Sequence, residues 1–277
     1  MVFCNWIIIK ELGTEKDSDG KTVTVINKYL LITKDEVDAI RLKTEAMDTL
    51  KSAADCTKSI GTAINNSLAN ENESNKRERA ASADLNEILK DKGLPAGTFR
   101  DNITDAKENL NEALEKEAEA QKIKEAILKT LPVVEAERNK IIGKLVNALK
   151  LEMNKEDDKE IKKEAIKELE ELQQTLKNLL DYIQKAIDIE TDVLRMKGAA
   201  AKSISAALAL YPDIQPSRSR KWKNGSENAQ KKVDDSVPFI TASIEKKADA
   251  KDGLTKLKKA IDAALVNVKE ALVKEGG

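Results

Sequence analysis

A chain of 277 residues with 40% hydrophobic but only 3% aromatic residues can bury a core, and that core must be built from Leu, Ile, Val and Ala instead of rings. Its 48 basic and 49 acidic residues leave a formal net charge of -1, so no global field draws it to nucleic acid or to an anionic membrane. It contains no histidine, which removes the commonest general base, the Ser–His and Cys–His nucleophile pairs, the usual nitrogen ligand of zinc or haem, and the Glu-x-x-His pairs of di-iron bundles.

Residues 6–12 (WIIIKEL) and 22–32 (TVTVINKYLLI) are β-branched and aromatic, and they flank a polar turn at 14–20. They predict an N-terminal β-hairpin over 1–32. Two strands alone are marginal in water, so the apolar face is expected to lie on the helices or the edge to pair with another chain, with Trp6, Ile8, Val23, Val25 and Tyr29 as candidate partner contacts. Met1–Ile9 lacks a basic n-region and runs into Lys10 and Glu11, so it is not read as a secretory signal. A cytoplasmic location is the default expectation, with a secreted mature form left open.

Thr33-Lys-Asp-Glu36 reads as a capping box that starts a helix. Apolar residues from Val37 to Leu68 carry that helix to about 69, and the polar stretch 70–76 predicts a loop or kink. A second helix follows to 92, with Gly93 and Pro95 ending it. Ile103 to Leu131 forms the next stripe, which Pro132 is expected to break or kink before Val133–Leu151 continues. Leu169, Leu172, Leu176, Leu179 and Ile183 step by three and four residues, the spacing of a coiled-coil seam. The apolar pattern then slips through Ile187 and Leu194, and no repeat of fixed period is evident. Gly198 is the place for a bend. An irregular loop is predicted over 212–235, and a last helix follows with Gly253 as a possible divide.

The predicted fold is mainly α: an elongated bundle of long antiparallel helices, continuous as one domain over 33–277, behind the N-terminal hairpin. Cys4 and Cys56 lie far apart and in no metal-like spacing, and read as thiols. The acids at 17–19, 71–73 and 156–160 fit no calcium loop, so no metal and no cofactor is expected. Arg218, Arg220, Lys221 and Lys223 surround Trp222, a partner-contact candidate whose alternative is a Trp folded onto the bundle. Ala199, Ala200, Ile204, Leu208 and Leu210 lie in a nearly uncharged stretch, read as a tight helix contact or, alternatively, a membrane contact. No uncharged run approaches the roughly 18 residues of a spanning helix. These features predict a non-catalytic structural or protein-interaction protein that self-associates or binds a protein partner, without nucleic acid or small-molecule substrate. The alternative is a secreted or surface-exposed helical protein: an antigen, an adhesin or an α-helical pore-forming toxin subunit.

Overall fold

The computed structural model of the protein describes residues 6–16, 22–94, 96–149, 155–213 and 216–276, with side chains described for 33–94, 96–149, 158–212 and 220–274. The architecture is mainly helical, as composition and spacing predict. The predicted hairpin over 1–32 falls on a stretch whose side chains lie outside the described residues.

Helix α1 spans Lys34–Ser52 and starts on the predicted capping box. Glu36 N–H donates to Thr33 Oγ1 at 3.2 Å, and Thr33 N–H donates to Glu36 Oε2 at 2.6 Å. Two of the otherwise orphaned amides at the helix start are thereby satisfied. A single residue, Ala53, interrupts the helix before α2, Ala54–Leu89. Arg138 donates to the Ala53 carbonyl at 3.1 Å, satisfying the acceptor that this break exposes. Helices α3, Thr98–Ala148, and α4, Lys155–Ala209, follow. A 3-10 turn at Tyr211–Asp213 precedes α5, Pro216–Gly276.

At several expected breaks or bends the helix continues. Residues 70–76 continue α2, Pro132 lies inside α3, and Gly198 lies inside α4. The irregular loop expected over 212–235 is helical from Pro216 onward, and Gly253 does not divide α5. Tertiary packing overrides local propensity here, because one face of each helix is buried along its length.

The spacing of that face is regular. On α3 the buried positions run from Phe99, Ile103, Ala106, Leu110, Ala113, Glu117, Ala120, Lys124, Ile127, Leu131 and Val134 to Arg138, Ile141, Leu145 and Ala148. They alternate steps of four and three residues, the heptad spacing of knobs-into-holes packing. On α4 the steps run unbroken through Ile183, Ala186, Glu190, Val193, Lys197, Ala200, Ile204 and Ala207. The pattern that slips when only apolar residues are counted is continuous once Glu190 and Lys197 are placed in it.

The chain divides into two compact units, and α3, α4 and α5 each contribute a stretch to both. The first comprises Met1–Ala54, Ala136–Gln174 and Lys259–Gly277. In it Ala39 and Leu42 of α1 pack with Ala271 of α5. The buried ammonium of Lys43 donates to the Ala148 carbonyl at 2.8 Å and reaches Asp158 at 3.3 Å, and Lys162 reaches the same Asp158 oxygen at 2.8 Å. Burial holds both lysines below the ordinary value, partly offset by Asp158.

The second unit comprises Asp55–Glu135 and Thr175–Lys258. Ser67 lies 2.7 Å from Ser243, and Ser74 donates to the Ser236 carbonyl at 3.3 Å. As α2 advances seven residues, its partner on α5 retreats seven, so these two stretches run in opposite directions. Two glycines show how tightly they pack. A Cβ on Gly253 would sit 2.7 Å from Cγ1 of buried Ile60, whereas a Cβ on Gly198 would meet nothing within 4 Å. Alanine gains about 1 kcal/mol of helix propensity over glycine at either site. Overpacking costs about 1–3 kcal/mol and exceeds that gain at Gly253. Thermal unfolding should therefore find Gly253→Ala less stable and Gly198→Ala more stable than the parent.

Candidate functional site: polar layers inside the second unit

The seam of the second unit is polar at its middle. One layer holds Glu71 of α2, Lys124 of α3, Glu190 of α4 and Ser243 of α5. Seven residues along each helix, the next holds Glu78, Glu117, Lys197 and Ser236. All eight side chains are fully buried, as are Ser67, Ser74 and Lys247 beside them. Each occupies a seam position, so the helix that a core-facing heptad produces carries it inward regardless of its polarity.

In the first layer Lys124 donates to Glu71 in a short contact and to Glu190 at 2.8 Å. Lys247 forms an ion pair with the other oxygen of Glu190. Ser243 donates to the Ser67 carbonyl at 3.0 Å and approaches Glu190 at 3.1 Å. Two ammonium groups thus face two carboxylates, and the layer is balanced in charge. Burial raises Glu71 above the ordinary carboxyl range against the opposing pull of Lys124. Burial lowers Lys247 to about 8, with Glu190 acting in the other direction.

The second layer is not balanced. Lys197 contacts Glu78, donates to Ser74, and lies 3.2 Å from Glu117. One ammonium therefore serves two carboxyl groups. Burial pushes Glu117 up to about 9, opposed by Lys197 and reinforced by the neighbouring Glu78 carboxyl.

Apolar clusters flank these layers. Ala113, Val193, Met196 and Ile240 form a small one. A larger one runs from Ala81 to Leu110 on α2 and α3 and from Ala200 to Val233 on α4 and α5. Trp222 is its largest member, only 3% exposed. Its ring centroid lies 6.4 Å from that of Phe99, and Phe99 meets Tyr211 edge-on at 5.8 Å. The indole Nε1–H donates to Asp91 at 3.1 Å. Asp91 also accepts from Gly93 N–H at 2.9 Å in the turn after α2.

Of the candidate residues, Trp222 is thus folded onto the helices, while Arg220, Lys221 and Lys223 are exposed on α5 around it. Ala200 and Ile204 are buried in the larger apolar cluster, with Leu208 and Leu210 packed against it and Ala199 half-buried. The side chains of Trp6, Ile8, Val23, Val25, Tyr29 and Arg218 lie outside the described residues. Sequence reasoning missed Glu71, Glu78, Glu117, Lys124, Glu190, Lys197 and Lys247. The signal that finds them is unbroken three-four spacing counted without regard to polarity.

Among the described residues no helix is long and apolar enough to cross a membrane, and no group of three or more acidic, Cys or His side chains could hold a metal ion. Comparison with protein-family models, with curated proteins and with solved structures finds no match.

Proposed function

We propose that the chain is a non-catalytic structural or protein-interaction protein, whose long antiparallel helices act as a spacer and whose contact surfaces lie at an N-terminal β-hairpin and on outer helix faces. The observation that carries this reading is the closure of the polar layers. A catalytic acid or base must come within hydrogen-bonding reach of a substrate. Glu71, Glu78, Glu117, Lys124, Glu190, Lys197 and Lys247 are completely shielded from solvent and face one another. Buried ion pairs are weak contributors to stability, and their best-attested use is to fix helix register and partner choice. A protein that must hold long helices in one alignment fits that use.

The hairpin part rests on backbone alone. What supports it is an antiparallel pairing of Trp6–Lys16 with Thr22–Thr33, with Trp6 opposite Thr33 and Lys16 opposite Thr22. The edge of a two-stranded unit is able to pair with a further strand.

Light scattering coupled to size-exclusion chromatography tests the reading. Self-association of the full chain, lost on deletion of residues 1–32, is the expected result. A monomer at every concentration, with a helical signal and elution unchanged by that deletion, removes the hairpin as a contact surface. Dye release from liposomes at micromolar protein would favour the membrane-active alternative instead.

A further inference from the structure

We propose that Glu78 and Glu117 share one proton inside the second unit, so that the second polar layer is a proton-binding site whose emptying loosens the packing of α2, α3 and α4 there. The inference goes beyond the spacer reading and does not depend on it.

The charge count of the layer carries it. Facing Glu117 are Glu78 from α2 and Lys197 from α4, and among the described residues α5 presents Ser236 at this level. The charged groups one heptad away, Glu71, Lys124, Glu190 and Lys247, are already balanced among themselves. Two ionised carboxylates against one ammonium would leave a net negative charge fully shielded from water, which is far costlier than keeping one proton. The hydrogen-bond geometry agrees. Glu117 meets Lys197 at 3.2 Å outside hydrogen-bonding geometry, and one oxygen of Glu78 has no hydrogen-bond partner among the described residues. A proton held on one carboxyl supplies the missing donor, and the other carboxylate accepts it. The arrangement is the familiar one of two carboxyl groups in one site, where only one ionises.

The pH dependence follows with a definite sign. Glu117 titrates at about 9 in the fold against an ordinary 4.5. Between those values the folded chain holds a proton that the unfolded chain has released, so stability is full at low pH and is lost as pH rises through the folded value. Glu71, raised as well, acts in the same direction. Lys247, lowered from 10.5 to about 8, acts oppositely and only above about 8. Below about pH 8 Lys247 therefore does not contribute, and Glu71→Gln separates the share of Glu71 from that of the Glu78–Glu117 pair.

The test combines infrared spectroscopy in deuterated buffer with thermal unfolding of the full chain. A protonated carboxyl band is expected at neutral pH in the parent, with a fall in Tm of about 5 °C or more between about pH 5.5 and about pH 8. Glu117→Gln, and equally Glu78→Gln, should remove that band and flatten the fall, while Glu71→Gln keeps the band. If the glutamine variants fail to fold, the band of the parent and its loss on raising pH decide the matter alone. Absence of the band at neutral pH overturns the proposal, as does its persistence in both Glu117→Gln and Glu78→Gln. So does a Tm that rises selectively with sodium or potassium at fixed ionic strength, which would assign the balancing charge to a cation.

Discussion

Lys124→Met is expected to lower the unfolding free energy by about 3–5 kcal/mol, the cost of leaving buried charge without its partner. The ammonium it removes is the one that bridges Glu71 and Glu190, both fully buried. Glu190 would keep Lys247, but Glu71 has no other ammonium contact within ion-pair distance among the described residues. Replacing the whole group is a different experiment. Leucine at 71, 78, 117, 124, 190, 197 and 247 together should leave stability unchanged or raise it by about 1–4 kcal/mol, since a seam without buried charge avoids the desolvation cost altogether. The loss should appear in alignment. Seams without charged layers discriminate less against a fit one heptad out of step, which charged layers penalise. Urea unfolding measures the first two quantities. Disulfide trapping measures the third: cysteines at 67 and 243, whose serine oxygens are 2.7 Å apart, should cross-link in the parent alignment. The apolar variant should also trap cysteines at 67 and 236, which lie a heptad out of step. A Lys124→Met variant that loses less than about 1 kcal/mol would show that the layers contribute little to holding the fold.

The same layers explain where the sequence was and was not legible. The start of α1 was readable because its determinants are local: Thr33 and Glu36 satisfy each other's amides within four residues. The stretch from Leu169 to Ile183 was readable because every seam position is apolar. Beyond it, the seam passes through Glu190 and Lys197, and a search for apolar periodicity loses the thread there. The polar residues 70–76 resemble a loop for the same reason, yet Glu71 and Ser74 are core residues. Pro132 is helical because Leu131 and Val134 on either side of it are buried, and that packing is a non-local fact. At 212–235, Pro, Ser and Asn-Gly suggest a loop, but Trp222, Ser226, Ala229 and Val233 keep the three-four spacing and hold the chain helical. The candidate site was invisible in composition because its residues are of the commonest types in the chain. Only their alignment on four helices distinguishes them from the many solvated Glu and Lys.

Trp222→Ala should cost about 3–5 kcal/mol, the range for truncating a buried aromatic. The indole is 3% exposed, lies against Phe99, and is the largest side chain of the apolar cluster that includes Ile88, Leu94 and Val233. Truncation opens a cavity that the rigid seams on either side can fill only partly. Trp222→Phe keeps most of the ring but removes the donor to Asp91, and should cost about 1–2 kcal/mol. Its neighbours behave as a control. Lys221 and Lys223 are exposed, and Lys223 makes a 3.8 Å surface pair with Glu227. Alanine at either should change stability by no more than about 0.5 kcal/mol. Urea titration of the four variants separates two uses of the same short segment. A tryptophan that serves as an exposed anchor for a partner would leave the stability of the free chain untouched when truncated, and its basic neighbours would contribute alongside it to binding. A tryptophan that closes the core gives a large loss at 222 and almost none at 221 and 223, and leaves the basic residues as the part of this segment that a partner could reach.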